Sequence, residues 1–264
     1  MAAPSRVPAP SPALLLIAHG SRDPRHAATV DALAREVRAQ RPELPVTIAF
    51  LDHCAPRVPQ ALAALAGAPA VAVPLLLNRA FHAKHDIPAA LRSAGARLPV
   101  AEVLGPDPLL LAALERRLAE AGLNTASPAV RARTGIVLAA AGSSDPAADA
   151  ATRAVAADWQ RRRGWGAVTV AYASANGPRV PDALAQLRAT TAVRQTAVAP
   201  YLLAPGLLPD RIADAARQAP EPAEVLAPVL GAAPEVARLL LRRYAAAAAD
   251  AEHAIPDSAR RSAA

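Results

Sequence analysis

The chain contains one pattern twice, and that repeat limits what it can fold into more than any other feature. Ala18-His19-Gly20-Ser21-Arg22-Asp23-Pro24 aligns with Ala140-Ala141-Gly142-Ser143-Ser144-Asp145-Pro146 at an offset of 122. Val46-Thr47-Ile48-Ala49-Phe50 matches Val168-Thr169-Val170-Ala171-Tyr172, and Pro56-Arg57-Val58-Pro59 matches Pro178-Arg179-Val180-Pro181, at the same offset. After a four-residue insertion the offset becomes 126, pairing Pro74 with Pro200, Leu104-Gly105 with Leu230-Gly231, and Arg116-Arg117 with Arg242-Arg243. Fixed-period self-similarity is a sign of duplicated structural units. The expected organisation is two homologous domains, 12–122 and 134–245, joined by a polar linker, with flexible tails at 1–11 and 246–264.

Each copy alternates short apolar runs with longer amphipathic stretches. In the first copy the runs are 13–18, 46–51, 70–77 and 99–104, and helical patterns fill 25–40, 56–65, 86–93 and 107–121. The second copy repeats the runs at 136–140, 168–172, 196–203 and 223–226. Continuous apolar runs of strand length suit strands covered on both faces, as in a parallel sheet. The expected fold is α/β: two three-layer domains, each with a mostly parallel four-stranded sheet, facing across a central cleft.

Several classes of function are excluded. The single cysteine, Cys54, rules out an intrachain disulfide framework and any multi-thiolate metal site. No apolar run reaches the roughly 18 residues that span a bilayer, and no signal-peptide core is apparent, so a cytoplasmic location is expected. There is no Walker A pattern and no Gly-x-Gly-x-x-Gly, so no organic cofactor is expected. The net charge of +7 points to an anionic partner. Nucleic acid is the weaker choice, because no basic run exceeds Arg161-Arg162-Arg163 and only 3% of residues are aromatic.

The remaining chemistry lies at the ends of the expected strands, where open α/β sheets bind ligands. Five of the six histidines fall between residues 19 and 85. His19 follows the first strand, Asp52 and His53 the second, and His82 and His85 the third. Imidazole with carboxylate suits Zn, Co, Ni or Fe(II), and imidazole also carries protons near neutrality. Bland readings stand beside these. A lone loop histidine is more often a surface or hydrogen-bonding group, Asp52 and Asp86 are both placed to cap helices, and His26 reads as an incidental helix residue. In the second copy Ala141, Ser174 and Leu208 stand where His19, Asp52 and His82 stand in the first. One site per chain is therefore expected, with its ligands on one wall and mostly shape on the other.

His19-Gly20-Ser21-Arg22, then Phe50-Leu51-Asp52, then Pro74-Leu75-Leu76-Leu77 followed by His82 and Asp86-Ile87-Pro88, resembles the sirohydrochlorin chelatase family. These class II chelatases insert cobalt or iron into a tetrapyrrole. The resemblance covers nearly the whole chain. It implies that His19 and His82 bind the incoming metal and that one or both accept pyrrole protons. It also implies a role for Asp52, where the family usually has Glu, in orienting a histidine or relaying a proton. Ala80 stands where the family usually has Gly. Ser21, Arg22, Arg79 and Lys84 are candidates for the carboxylates of sirohydrochlorin. Short family members are homodimers of one such domain, so this fused form is expected to be a monomer. Fe2+ is the expected metal, with Co2+ and Ni2+ as alternatives. The competing functions are a cobalt or nickel chelatase of cobalamin-type biosynthesis and a non-catalytic tetrapyrrole or metal carrier.

Overall fold

In a computed structural model of the chain, the described residues are 11–78, 86–174 and 177–254. The first copy contributes β1 (Ala13–Ala18), α1 (Pro24–Gln40), β2 (Val46–Phe50), α2 (Val58–Leu65), β3 (Ala70–Pro74), α3 (Ile87–Ser93) and α4 (Pro108–Glu120). A short helix, α5 (Pro128–Arg131), occupies the expected linker. The second copy contributes β4 (Thr134–Ala140), α6 (Pro146–Arg163), β5 (Ala167–Tyr172), α7 (Val180–Arg188), β6 (Gln195–Pro200), α8 (Leu207–Arg217), β7 (Val225–Leu226) and α9 (Pro234–Ala254).

Both sheets are parallel, ordered β2-β1-β3 and β5-β4-β6-β7. The repeat extends to register: Ala18 pairs with Phe50 as Ala140 pairs with Tyr172. The central strands β1 and β4 are buried throughout, which explains their unbroken apolar runs. The first sheet lacks the fourth strand expected at 99–104. That segment meets β3 through a single bridge, Ala72 to Val100, with Ala72 donating to Pro99 O and Ala101 to Ala72 O. Pro99 has no N–H to extend the ladder. At the carboxyl end the last helix runs beyond the second copy. α9 continues to Ala254, through nine residues expected to form a flexible tail, because the run Ala245–Ala249 has the highest intrinsic helix propensity.

The layers are shared between the copies. One large core joins Leu14, Leu16, Val71 and Val73 of the first sheet to Ile136, Leu138, Ala197 and Ala199 of the second, through α1, α4, α6 and α9. The alternate residues face outward. Leu15 and Ile17 pack with α2 and α3, and Val137 and Ala139 pack with α7 and α8. The last helix of each copy covers the other copy's sheet: α9 packs on α1, α4 and β3, and α4 packs on β6. Polar ties follow the same exchange. Arg116 of α4 donates to Glu235 of α9 at 2.7 and 2.9 Å, and Arg117 donates to Leu230 O at 2.8 and 2.9 Å. The buried Trp159 of α6 donates its indole N–H to Glu115 of α4 at 2.9 Å.

Candidate active site

A cleft of about 460 Å³ opens between the copies at the carboxyl ends of their strands. The first copy lines it with His19, Ser21, His26 and Leu75–Asn78, and the second with Ala140–Ser143, Asp149, Thr152, Tyr172 and the stretch from Tyr201 to Pro209. Its volume falls within the range of small-molecule sites.

His19 reaches the cleft because β1 ends in a tight turn. Gly20 has φ +93°, and a Cβ there would lie 1.7 Å from Asp52 O. Glycine is therefore required for the β1 and β2 ends to approach, and Asp52 N donates to His19 O at 2.8 Å across that contact. The second copy keeps the device: Gly142 has φ +89°, and its Cβ would lie 2.2 Å from Ser174 O. His19 is half-buried, with Nδ1 3.2 Å from Gly20 O. When Nδ1 donates there, the lone pair is on Nε2, the atom a metal takes.

The other sequence candidates have different fates. Ser21 lines the cleft and its Oγ accepts from Asp23 N at 3.1 Å. Arg22 is exposed and lies outside the lining. Asp52 sits beside His19 through its backbone, but its carboxylate turns away from the cleft. It accepts from Arg57 at 2.8 Å and from His53 N at 2.8 Å. The Arg57 guanidinium, then the His53 amide, hold the Asp52 carboxyl below the usual carboxylate range. Asp52 is no helix cap either, since α2 begins after Arg57. His82, Arg79, Lys84 and His85 lie outside the described residues, although Asn78, just before them, lines the cleft. In the second copy Ala141 and Leu208 line the cleft at the positions matching His19 and His82, and Ser174 donates to Ala141 O at 2.7 Å.

Sequence reasoning passed over two features. His26, in the first turn of α1, lines the cleft, and its buried Nδ1 has no hydrogen-bond partner among the described residues. Burial, then the nearby His19, push its pKa down. The second wall also carries polar groups as well as shape. Asp149, Thr152, Tyr172 and Tyr201 replace Ala27, Val30, Phe50 and Leu75 of the first copy. Burial raises the pKa of both tyrosines, and carboxylates add to this, Asp149 for Tyr172 and Asp107 for Tyr201. An alignment of the two copies carries this signal, because it pairs each of these residues with an apolar one.

Both halves of this arrangement match a single family model, CbiX, over residues 13–121 and 135–247. The chain belongs to the CbiX family. It is 30% identical over 230 residues to the sirohydrochlorin ferrochelatase of Priestia megaterium, covering 83% of this chain and 84% of that protein. It is 29% identical over 250 residues to the sirohydrochlorin ferrochelatase of Bacillus subtilis, covering 91% and 93%. Among solved structures it resembles SirB from Bacillus subtilis with Fe3+, at 26% identity and a TM-score of 0.76, over 92% of this chain and 98% of that one. No helix among the described residues is long and apolar enough to cross a membrane.

Proposed function

We propose that this CbiX-family enzyme inserts a divalent metal into sirohydrochlorin. The reaction is M2+ plus the diprotonated macrocycle giving the metallated ring and two protons. The observation that carries the reading is the family match over both copies, combined with a half-buried imidazole, His19, on one wall of the cleft and Ala141 at its counterpart on the other.

The chemistry needs a metal held by few protein ligands, so that macrocycle nitrogens can replace the rest. In this reading His19 offers Nε2 and His82 supplies a second imidazole, and one or both accept the pyrrole protons. Asp52, held by Arg57, acts on the Gly20 turn that presents His19 rather than on the metal. Ser21 meets the substrate inside the cleft, and Arg22, Arg79 and Lys84 are the candidates to meet its carboxylates. Iron is the first choice of metal, because both relatives that match over most of the chain are named ferrochelatases. Cobalt insertion is the second reading, since the same donor set accepts both ions. A monomer is the proposed working form, because the two copies already share one core.

The test is an anaerobic insertion assay with sirohydrochlorin and Fe(II), Co(II) or Ni(II), followed by the loss of the free-ligand spectrum. His19→Ala and His82→Ala are each expected to slow insertion about 100-fold or more, the scale of losing a ligand or a general base. Full rates in both folded variants would overturn the reading.

A further inference from the structure

The cleft would receive a polyanion, yet its lining contains no lysine or arginine among the described residues. Among the described residues, a cation for the substrate therefore stands outside this lining. One such cation is already occupied. Arg25 is the second residue of α1, next to the cleft-lining His26, and Asp210 follows the cleft-lining Pro209 at the start of α8. The two meet from opposite copies. Arg25 donates to the two oxygens of Asp210 at 2.5 and 3.2 Å, a two-point carboxylate–guanidinium pair. Asp23 takes the other edge of the same guanidinium, at 2.5 to 3.1 Å.

The two acids are not equivalent. Asp23 also accepts from Arg25 N as the cap of α1, so its departure would uncap the helix. The Asp210 carboxylate has no other hydrogen-bond or ion-pair partner among the described residues, and about half of its side-chain surface is exposed, at 49%. Two carboxylates on one guanidinium leave a net negative charge at the mouth of a cleft meant for carboxylates. The repeat does not impose this pair: Ala147 and Lys84 stand at the matching positions of Arg25 and Asp210.

We infer that Asp210 is a placeholder, which a substrate carboxylate displaces from Arg25, and that Arg25 is a specificity-determining residue for the polycarboxylate ring. This deepens the chelatase reading and rests on it. The exchange swaps one carboxylate for another on the same guanidinium edge, so it breaks and forms only hydrogen bonds and an ion pair. An exposed pair of this kind contributes weakly, so displacing it costs the ligand only a few-fold in affinity.

The experiment measures KM and kcat for sirohydrochlorin, at low and high salt, in the full chain and in Asp210→Asn, Arg25→Ala and the double variant. Competition predicts opposite signs. Asp210→Asn lowers KM about two- to fivefold, and Arg25→Ala raises it roughly three- to tenfold. The double variant behaves like Arg25→Ala, the shifts fall on KM rather than kcat, and both shrink at high salt. A purely structural clasp predicts that the single variants move KM in the same direction, because each breaks the same bridge. That result, or no change in either, overturns the inference. The chelatase reading is judged separately: wild-type protein that neither binds nor metallates sirohydrochlorin overturns that reading, whereas active wild type with parallel variants overturns only the placeholder.

Discussion

Replacing Tyr201 by phenylalanine is expected to stabilise the protein, the reverse of the usual sign. A buried tyrosine hydroxyl normally has a partner, and deleting it costs about 1 kcal/mol. Tyr201 is only 2% exposed, and its hydroxyl has no hydrogen-bond partner among the described residues. It sits at the carboxyl end of β6, packed towards Gly105, with burial and then the Asp107 charge pushing its pKa up. An unsatisfied buried hydroxyl costs about 1–3 kcal/mol in lost hydration, and phenylalanine removes that cost while keeping the ring. The void left by one oxygen returns part of the gain. The net expectation is about 0.5–2 kcal/mol of added stability, a rise in Tm of roughly 1–4 °C for a chain of this size. Leu75 at the matching position of the first copy shows that an apolar residue suits this place in the fold. Urea unfolding with an unchanged slope is the measurement. A loss of 1 kcal/mol or more would refute the reasoning, by showing that the hydroxyl is satisfied in solution.

Three other perturbations separate the site from the scaffold. Gly20→Ala and Gly142→Ala both force a Cβ against a facing carbonyl at positive φ, and each should cost about 2–4 kcal/mol in thermal unfolding, but only Gly20→Ala should also cut insertion tenfold or more, since only the first copy presents His19. The His26 pKa is depressed in the folded chain, so the unfolded chain takes its proton first. Stability should fall as pH drops below about 6.5, the unfolded value, and His26→Phe should flatten that limb of the pH–Tm curve. Glu235 is nearly buried, and its pKa is held down chiefly by Arg116. Its contribution should be present above about pH 4.5 and disappear as pH falls through the lower folded value, while Arg116→Met should cost about 1–3 kcal/mol at pH 7 in urea unfolding.

Much of this molecule is legible in its repeat. The strands around His19 and Ala141 are readable because β1 and β4 are apolar on both faces, and the alignment of Phe50 with Tyr172 implies that the two copies share one register, though not which one. The run at 99–104 misleads because apolar content does not reveal that Pro99 removes a ladder donor. Asp52 is readable as a strand-end carboxylate. Its direction is not, because that depends on Phe50 bridging to Arg57 after the chain turns back. His26 looks incidental in a helical pattern because the neighbour that makes it part of the cleft wall, the Leu203–Pro209 stretch, is nearly 180 residues away in sequence. The exchange of α4 and α9 has no local signature, since each helix has an ordinary apolar stripe whichever sheet it covers.

That exchange has a mechanical consequence. Two shells joined by a linker would work as a jaw, opening wide to admit a large ring. Here α9 is clamped on β3 and α4 on β6, so the copies interlock like clasped fingers, and prising them apart would expose Leu114, Trp159 and Leu240 to water. The cleft is a notch in a molecule whose two copies share one core. Opening it as a jaw would cost the burial that the two copies share.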